Sequence, residues 1–319
     1  MENNDSHDKI IPTHSLNSQN DAKGEEEEEE LSFAPDTLNA LKEFLQDKQV
    51  ETKGETERDI REGLATLFQN DSDSDSEGEV KTLIEGYERK VEGVEPKYLA
   101  LNLHGARHSL WGHRLWNAAR YLADTFDDPN FDLRGKTTLE LGAGAGLPSL
   151  ICALNGAETV VITDYASAAD TALVENLQKN IDMLRPQIPD NSKVFAHGYI
   201  WGYPSEPLLE YLNPSGRKFD MIILADLLFN HSEHEKLLQT CDACLSEDGT
   251  IWVTYGHHVP HKAHMDMKFF EYATQEPFNF VSEKIDEIQM KDIIEENDGL
   301  DHIRGVVYTH HLKRKSSTC

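Results

Sequence analysis

Beyond about residue 81, short apolar segments alternate with longer segments whose apolar residues recur at helical spacing. The apolar segments predict strands at residues 137–142, 159–163, 194–197, 219–225 and 250–255. The periodic segments predict helices at residues 112–124, 147–155, 168–183, 233–245 and 262–274. Strands and helices in alternation are typical of an α/β domain with a largely parallel sheet.

The C-terminal part breaks this alternation. Residues 278–288 and 306–312 both have the pattern of a strand, and no helix of comparable length separates them. Parallel neighbours need a long crossover connection, whereas antiparallel neighbours do not. We therefore expect an antiparallel pair that closes one edge of the sheet.

The first 80 residues have a different character. Residues 1–30 are polar and end in six consecutive glutamates, a composition that predicts disorder because there is little apolar surface to bury. Two amphipathic stretches at residues 38–45 and 60–68 predict short helices, and an acidic run at residues 71–79 follows them. We expect residues 1–80 to form an acidic, low-complexity extension and residues 81–319 to form one folded domain.

Charge and cysteine content narrow the possible functions. The chain has 30 basic and 58 acidic residues, a net charge of −28, which disfavours nucleic acid as a partner and is compatible with a basic protein. No run of 18 apolar residues occurs, so we expect no membrane span, and the acidic N-terminus is unlike a signal peptide. Four cysteines in 319 residues suit a reducing compartment, and we expect a cytoplasmic protein.

A glycine-rich loop follows the first predicted strand of the alternating region. It has the form E-x-G-x-G-x-G, with Glu140, Gly142, Gly144 and Gly146 at the fixed positions. Glycines at the carboxyl end of a strand let a ligand approach the backbone closely, and open α/β sheets bind their ligands at that edge. Dinucleotide folds use the different spacing G-x-G-x-x-G.

An acidic residue, Asp164, ends the next predicted strand, 22 positions after Gly142. A carboxylate at this place can accept hydrogen bonds from both hydroxyls of a ribose. Alone, Asp164 could equally be a turn residue or a helix cap. The combination with the glycine loop favours a ribose contact.

Several separated motifs resemble one enzyme family. The loop form, together with residues 110–118, 199–202, 225–234 and 255–258, is similar to the family-16 lysine methyltransferases, which are class I S-adenosylmethionine-dependent enzymes. The resemblance covers about residues 98–312 and does not include the first 80 residues. It implies a Rossmann-like, seven-stranded α/β sheet with helices on both faces, so that residues 81–319 would be the methyltransferase domain.

The resemblance also implies S-adenosylmethionine as cofactor and assigns its contacts. By position in the motifs, the cofactor-binding residues would be Trp116, Gly142, Ala143, Gly144, Asp164, Trp201 and Ala225. Trp116 would face the methionine part or the sulfonium and Trp201 the adenine, because an aromatic face attracts a sulfonium and stacks on a purine. Either tryptophan could instead be a core residue.

Methyl transfer to an amine needs position, desolvation and removal of a proton rather than a nucleophilic side chain. Asp226, at the end of the predicted strand 219–225, is the first candidate for holding and deprotonating the amine. Asn230 and Tyr255 are the next candidates. A strand-end aspartate could instead cap the following helix.

Two further side-chain groups suggest other chemistry. Six histidines fall within residues 231–264, but no recognised zinc spacing occurs among them, so we expect no metal. Cys241 and Cys244 form a CxxC sequence inside a predicted helix, where buried thiols are expected rather than a redox pair.

Three functions are compatible with the sequence. The resemblance favours a protein N-methyltransferase that modifies the N-terminal amine, and the adjacent lysine, of translation elongation factor 1A. A small-molecule N-methyltransferase acting on nicotinamide is the second hypothesis. The third is a non-catalytic scaffold that keeps the fold; the intact glycine loop and Asp164 argue against it, because a scaffold needs neither.

Overall fold

The computed structural model of the chain describes residues 83–104, 114–167, 171–212, 214, 216–291 and 299–315. The predicted extension at residues 1–80, with its two amphipathic helices, lies outside the described residues, and so do positions 110–113 of the first family motif. No helix in the described part of the chain is long and apolar enough to cross a membrane.

The described residues contain nine strands and eight α-helices. The strands are β1 (Leu83–Glu88), β2 (Tyr98–Leu103), β3 (Thr137–Leu141), β4 (Thr159–Asp164), β5 (Lys193–Gly198), β6 (Phe219–Ala225), β7 (Leu245–Tyr255), β8 (Val281–Gln289) and β9 (Val306–Lys313). The helices are α1 (Asn117–Asp127), α2 (Leu147–Leu154), α3 (Ala172–Leu184), α4 (Glu206–Leu209), α5 (His234–Cys244), α6 (Ala263–Asp266), α7 (Lys268–Thr274) and α8 (Asp301–Arg304).

Seven of these strands form one sheet in the order β5-β4-β3-β6-β7-β9-β8. The five strands from β3 to β7 are parallel to one another, and β9 pairs antiparallel with both β7 and β8. This order confirms the predicted α/β fold and the antiparallel pair at the sheet edge. It also places β9 between β7 and β8, so the last strand of the chain is not itself the edge strand.

Helices cover both faces of the sheet, as predicted. Leu139 of β3 lies level with Val161 of β4 and Ile222 of β6, and all three belong to the apolar cluster beneath α5 and α7. The alternate residues Val160 and Ile162 belong to the cluster beneath α1, α2 and α3. Burial on both faces explains why these strands are nearly continuous apolar runs.

A two-stranded antiparallel hairpin, β1–β2, precedes the main sheet and was not predicted. Buried asparagines attach it to α3: the Asn102 N–H donates to Asn180 Oδ1 at 2.7 Å, and Asn180 Nδ2 donates to the Asn102 carbonyl at 3.0 Å. Asn180 Nδ2 also lies 3.0 Å from the Ala145 carbonyl in the glycine loop. The hairpin is therefore bound, through one side chain, to the loop that follows β3.

Two predicted helices differ from the structure. The helix predicted at residues 262–274 is divided into a 3-10 turn, α6 and α7, with the break at Met267, whose ψ of −20° is tighter than that of an α-helix. The helix predicted at residues 112–124 begins at Asn117 and extends to Asp127. Both differences leave a residue outside a helix, Trp116 before α1 and Met267 between α6 and α7, near the carboxyl edge of the sheet.

Candidate active site

The candidate site lies at the carboxyl edge of the parallel strands, where the loops after β3, β4, β6 and β7 meet. In parallel strands these ends face the same way, so residues far apart in the sequence come together there. The site has two sides. We call the glycine loop, Asp164, Trp201 and Trp116 the cofactor side, and we call Asp226 and the loop after β7 the acceptor side.

The glycine loop has a backbone that other residues rarely adopt. Gly142, Gly144 and Gly146 have φ values of +62°, +56° and +77°. A Cβ at Gly142 would lie 2.7 Å from Leu227 Cδ2 and 3.0 Å from Trp201 Cζ2, so Trp201 packs directly against the loop. A Cβ at Gly144 would meet nothing within 4 Å. The loop thus presents bare backbone to open space, which suits a ligand that must approach closely.

Asp164 is bound to the glycine loop by backbone donors. Its Oδ2 accepts a hydrogen bond from the Gly144 N–H and its Oδ1 one from the Tyr165 N–H, both at 2.7 Å. The Ala143 N–H donates to the Thr163 carbonyl at 3.0 Å, which joins the two loops a second time. The next helix begins at Ala172, so Asp164 does not cap it.

A buried carboxylate lies beneath this loop. Glu140 on β3 is fully buried, and its Oε2 accepts a hydrogen bond from the Ser149 N–H at 3.1 Å. Its Oε1 is buried and has no hydrogen-bond partner among the described residues. Burial raises the pKa of this carboxyl to about 8, so the protonated form is favoured well above the ordinary range.

Asp226 is held in a strained backbone conformation at the end of β6. Its φ of +62° is unusual for a residue with a side chain, and its N–H donates to the Thr254 carbonyl at 2.7 Å. Asp226 Oδ1 accepts hydrogen bonds from the Gly256 N–H at 3.2 Å and lies 2.7 Å from His258 Nε2. Oδ2 has no partner among the described residues.

The structure does not use Asp226 as a helix cap. The 3-10 turn His231–Glu233 begins after Asn230, which occupies the position before its first residue. Asn230 is partly buried, and its N–H donates to the Leu227 carbonyl at 3.1 Å. Asp226 and Asn230 therefore flank one short loop on the acceptor side.

Trp116 and Ala225 lie at the ends of elements that reach the same edge. Trp116 immediately precedes α1 and is partly buried, and its ring centroid lies 4.6 Å from that of His258. Ala225 is the last residue of β6 and packs against the cluster beneath α1 to α3. His258 therefore touches both Trp116 and Asp226, two residues that the sequence predicted separately.

Tyr255 lies in the core rather than on an open surface. It is 1% exposed, its hydroxyl donates to Met267 Sδ at 3.3 Å, and its ring stacks on Tyr308. Burial raises the pKa of Tyr255 above its usual value, so the phenol keeps its proton. This environment suits packing better than proton transfer.

The histidines form hydrogen bonds that sequence reasoning missed. Asp266 Oδ1 lies 2.6 Å from His231 Nε2, and Asp266 Oδ2 lies 2.7 Å from His257 Nδ1. His257 and His258 thus face two different buried aspartates. Among residues 83–104, 114–167, 171–212, 214, 216–291 and 299–315, no three histidine, cysteine or acidic side chains are placed to hold a metal ion. No local signal could have shown which histidine faces Asp226, because 32 positions separate the partners.

The CxxC cysteines are buried thiols, as predicted. Cys241 and Cys244 lie on α5 and are fully buried in the cluster on that face. Burial raises the pKa of Cys244 to about 12 and that of Cys241 well above its ordinary value. Thiols that keep their protons are poor nucleophiles, so a redox role has no support here.

These features fit an adenosyl cofactor. The bare glycine backbone, the carboxylate of Asp164 and the aromatic rings of Trp201 and Trp116 are the donors, acceptors and faces that such a group needs. A seven-stranded sheet with an antiparallel C-terminal pair and this loop defines a class I S-adenosylmethionine-dependent methyltransferase.

Comparison with known proteins gives the family. The family described as "Lysine methyltransferase" matches residues 97–276. The protein N-terminal and lysine N-methyltransferase EFM7 of Debaryomyces hansenii is 43% identical over 230 residues, which are 71% of this chain and 87% of that protein. The chain therefore belongs to the lysine methyltransferase family, as the sequence motifs predicted, and it is an S-adenosylmethionine-dependent N-methyltransferase.

Two other relatives have the same description as the Debaryomyces hansenii protein. The proteins of the same description from Schizosaccharomyces pombe and Cryptococcus neoformans are 40% and 37% identical, over 68% and 66% of this chain and 83% and 74% of their own lengths. A solved putative methyltransferase from Streptococcus mutans is similar at 13% identity and a TM-score of 0.46, covering 88% of this chain and 82% of that one. The fold assignment depends on the strand order and not on that distant likeness.

Proposed function

We propose that this chain methylates the N-terminal amine of translation elongation factor 1A, and the lysine next to that amine, in the cytoplasm. Relatives described as protein N-terminal and lysine N-methyltransferases support a protein amine as acceptor. The motif resemblance supports the elongation factor as the protein that carries it. The chemistry depends on the hydrogen bonds of Asp226. One carboxylate oxygen is fixed by two donors, and the other has no partner among the described residues.

The cofactor side would bind and orient S-adenosylmethionine. Asp164 would accept hydrogen bonds from the ribose hydroxyls, and Gly142, Ala143 and Gly144 would hold the methionine part. Trp201 and Trp116 would provide aromatic faces for the adenine and the sulfonium, and Ala225 would line the pocket at the end of β6. When bound, the cofactor supplies an electrophilic methyl group with a good leaving group.

The acceptor side would prepare the amine. An α-amine has a pKa near ~8, so below neutral pH it carries a proton that must leave before the lone pair can react. Oδ2 of Asp226 accepts a hydrogen bond from the amine and takes that proton. The Asn230 amide lies four positions further along the same loop and would orient the acceptor, whereas Tyr255 supports the core.

The net charge of −28 favours a cationic acceptor over a neutral one. Long-range attraction raises the encounter rate of an acidic protein with a basic peptide, and salt screens that attraction. A neutral ring such as nicotinamide gains nothing from it. The charge therefore supports the protein substrate over the small-molecule alternative.

The test compares two acceptors with labelled cofactor: a peptide that carries the elongation factor's N-terminus, and nicotinamide. For the peptide we expect methylation that rises with pH between about 6 and 8 and falls with added salt. Nicotinamide presents a free lone pair at neutral pH and should show little of either dependence. A reaction that prefers nicotinamide, and that is flat in pH and salt, would overturn the proposal.

Two buried aspartates provide a matched pair of variants. Asp226→Asn should lower peptide turnover by roughly 10² to 10⁴-fold, because a general base is removed. Asp266→Asn also changes a buried aspartate with histidine partners, but those partners are His231 and His257 rather than His258, so we expect a much smaller loss of turnover than in Asp226→Asn. Equal losses in both variants would point to general loop disruption and remove Asp226 from the mechanism.

A further inference from the structure

Among the described histidines, His258 alone contacts both Trp116 on the cofactor side and Asp226 on the acceptor side. Its side chain is 15% exposed, and its Nε2 lies 2.7 Å from Asp226 Oδ1. Its ring centroid lies 4.6 Å from that of Trp116, and its carbonyl accepts a hydrogen bond from Arg304 Nε at 3.3 Å. His258 is therefore fixed through its ring and its backbone.

The contact with Asp226 sets the direction of the carboxylate. The Gly256 N–H and His258 both bind Oδ1, so the carboxylate cannot rotate without losing two hydrogen bonds. Oδ2 is then held in one place, whereas a single donor would leave the side chain free to turn. Reactions that need an in-line approach lose rate steeply when a group moves by about 1 Å.

The neighbouring histidine shows that this contact is specific. His257 makes an equally short contact, 2.7 Å from Nδ1 to an oxygen of the buried Asp266, but its ring packs against Tyr255 and Tyr308 instead. Both residues are histidines in the same loop with buried carboxylate partners. They differ in which aspartate they orient.

We propose that His258 is a positioning residue for methyl transfer: it fixes Asp226 so that Oδ2 faces the acceptor amine, and it supports Trp116 on the cofactor side. This inference rests on the proposed function, because it assigns Asp226 the handling of the amine. His258 itself does not take the amine proton. It acts through Asp226, so its effect should disappear when Asp226 can no longer act.

A double-mutant cycle on the full chain tests this, with turnover of the N-terminal peptide measured at saturating cofactor. His258→Ala should lower turnover about 10- to 100-fold, the range expected for a misplaced group. In an Asp226→Asn background the same change should have almost no further effect, because residues that act as a unit are not additive. His258→Gln can still donate from the same place and should recover most of the rate.

His257→Ala is the control for loop damage and should have the same effect in both backgrounds. Equal fold-losses from His258→Ala with and without Asp226→Asn would overturn the positioning role while leaving the proposed function intact. A wild-type chain that does not methylate the peptide would overturn the proposed function and this inference together. A His258→Gln variant as slow as His258→Ala, with both near wild-type melting temperature, would also contradict the positioning role.

Discussion

The two sides of the candidate site are held in place by different kinds of contact. On the cofactor side, Asp164 is bound by backbone N–H groups from the glycine loop and from Tyr165. On the acceptor side, Asp226 depends on the His258 side chain as well as on one backbone N–H. Backbone donors remain when neighbouring side chains change, whereas a side-chain donor is lost with a single substitution.

This difference suggests that the two functions can be separated by mutation. The cofactor side should be sensitive where glycine itself is required, because its geometry is in the backbone. The acceptor side should be sensitive to substitution of any side chain that orients another side chain by a hydrogen bond.

The largest effect concerns the carboxylate buried beneath the glycine loop. Folded Glu140 holds its proton up to a pKa of about 8, whereas the unfolded chain releases it near the ordinary value of 4.5. Its contribution to stability is therefore present below pH 4.5 and is lost as pH rises towards 8, at up to about 1.4 kcal/mol per pH unit. Glu140→Gln should be increasingly more stable than wild type from pH 5 to 8.

Denaturant unfolding of the cofactor-free protein at several pH values measures this difference. Glu283→Gln, which changes an exposed glutamate on β8, is the control and should keep the wild-type slope. If the free energies of unfolding of Glu140→Gln and wild type differ by the same amount at every pH, this carboxyl is ionised in the folded protein.

Gly142 packs against side chains from the loops after β5 and β6. Gly142→Ala combines a positive φ with crowding against Leu227 and Trp201, and it should destabilise the fold by about 2 to 4 kcal/mol. Gly144→Ala shares the positive φ without the crowding and should cost only about 1 kcal/mol. Chemical unfolding of both variants tests the contrast; equal losses would mean that crowding at Gly142 has no energetic effect.

Asp164→Ala tests the cofactor side alone. Two charge-assisted hydrogen bonds to a ribose would be lost, so cofactor affinity should fall by roughly 1 to 3 kcal/mol while the fold remains intact. Calorimetric titration of both proteins with cofactor measures this. Equal affinities would remove Asp164 from the site.

The smallest effect concerns the link between the hairpin and the glycine loop. Asn180→Ala removes the donor shared by Asn102 and Ala145, so the loop loses a support that is not in direct contact with the ligand site. Cofactor affinity should fall by about 0.5 to 1 kcal/mol, typical of indirect coupling. Gln178→Ala, on the exposed face of the same helix, is the matched control for the titration. Equal cofactor affinities in the two variants would show that the hairpin does not support the loop.

The positions of the glycine loop and Asp164 at the sheet edge could be predicted from sequence because their determinants are local. The buried runs that form β3, β4 and β6 begin at the predicted residues, since strands covered on both faces are nearly continuous in apolar residues. The glycines and Asp164 follow those strands directly. Their position at the sheet edge then follows from parallel pairing alone.

The rest depends on contacts between distant parts of the chain. The hairpin β1–β2 has a mixed burial pattern and is fixed by Asn180, 78 positions from its partner Asn102, which no local periodicity reveals. The pairing of His258 with Asp226 joins loops from two different strands. The sequence identified Asp226 as a candidate, but only the structure shows which residue orients its carboxylate.

The most direct test of the two-sided account is to measure cofactor affinity and peptide turnover together in Asp164→Ala and Asp226→Asn. We expect Asp164→Ala to bind cofactor more weakly but to methylate the peptide near the wild-type rate when cofactor is saturating. We expect Asp226→Asn to bind cofactor like wild type and to lose roughly 10² to 10⁴-fold in turnover. Variants that both lose affinity, or an Asp226→Asn variant with unchanged turnover, would contradict it.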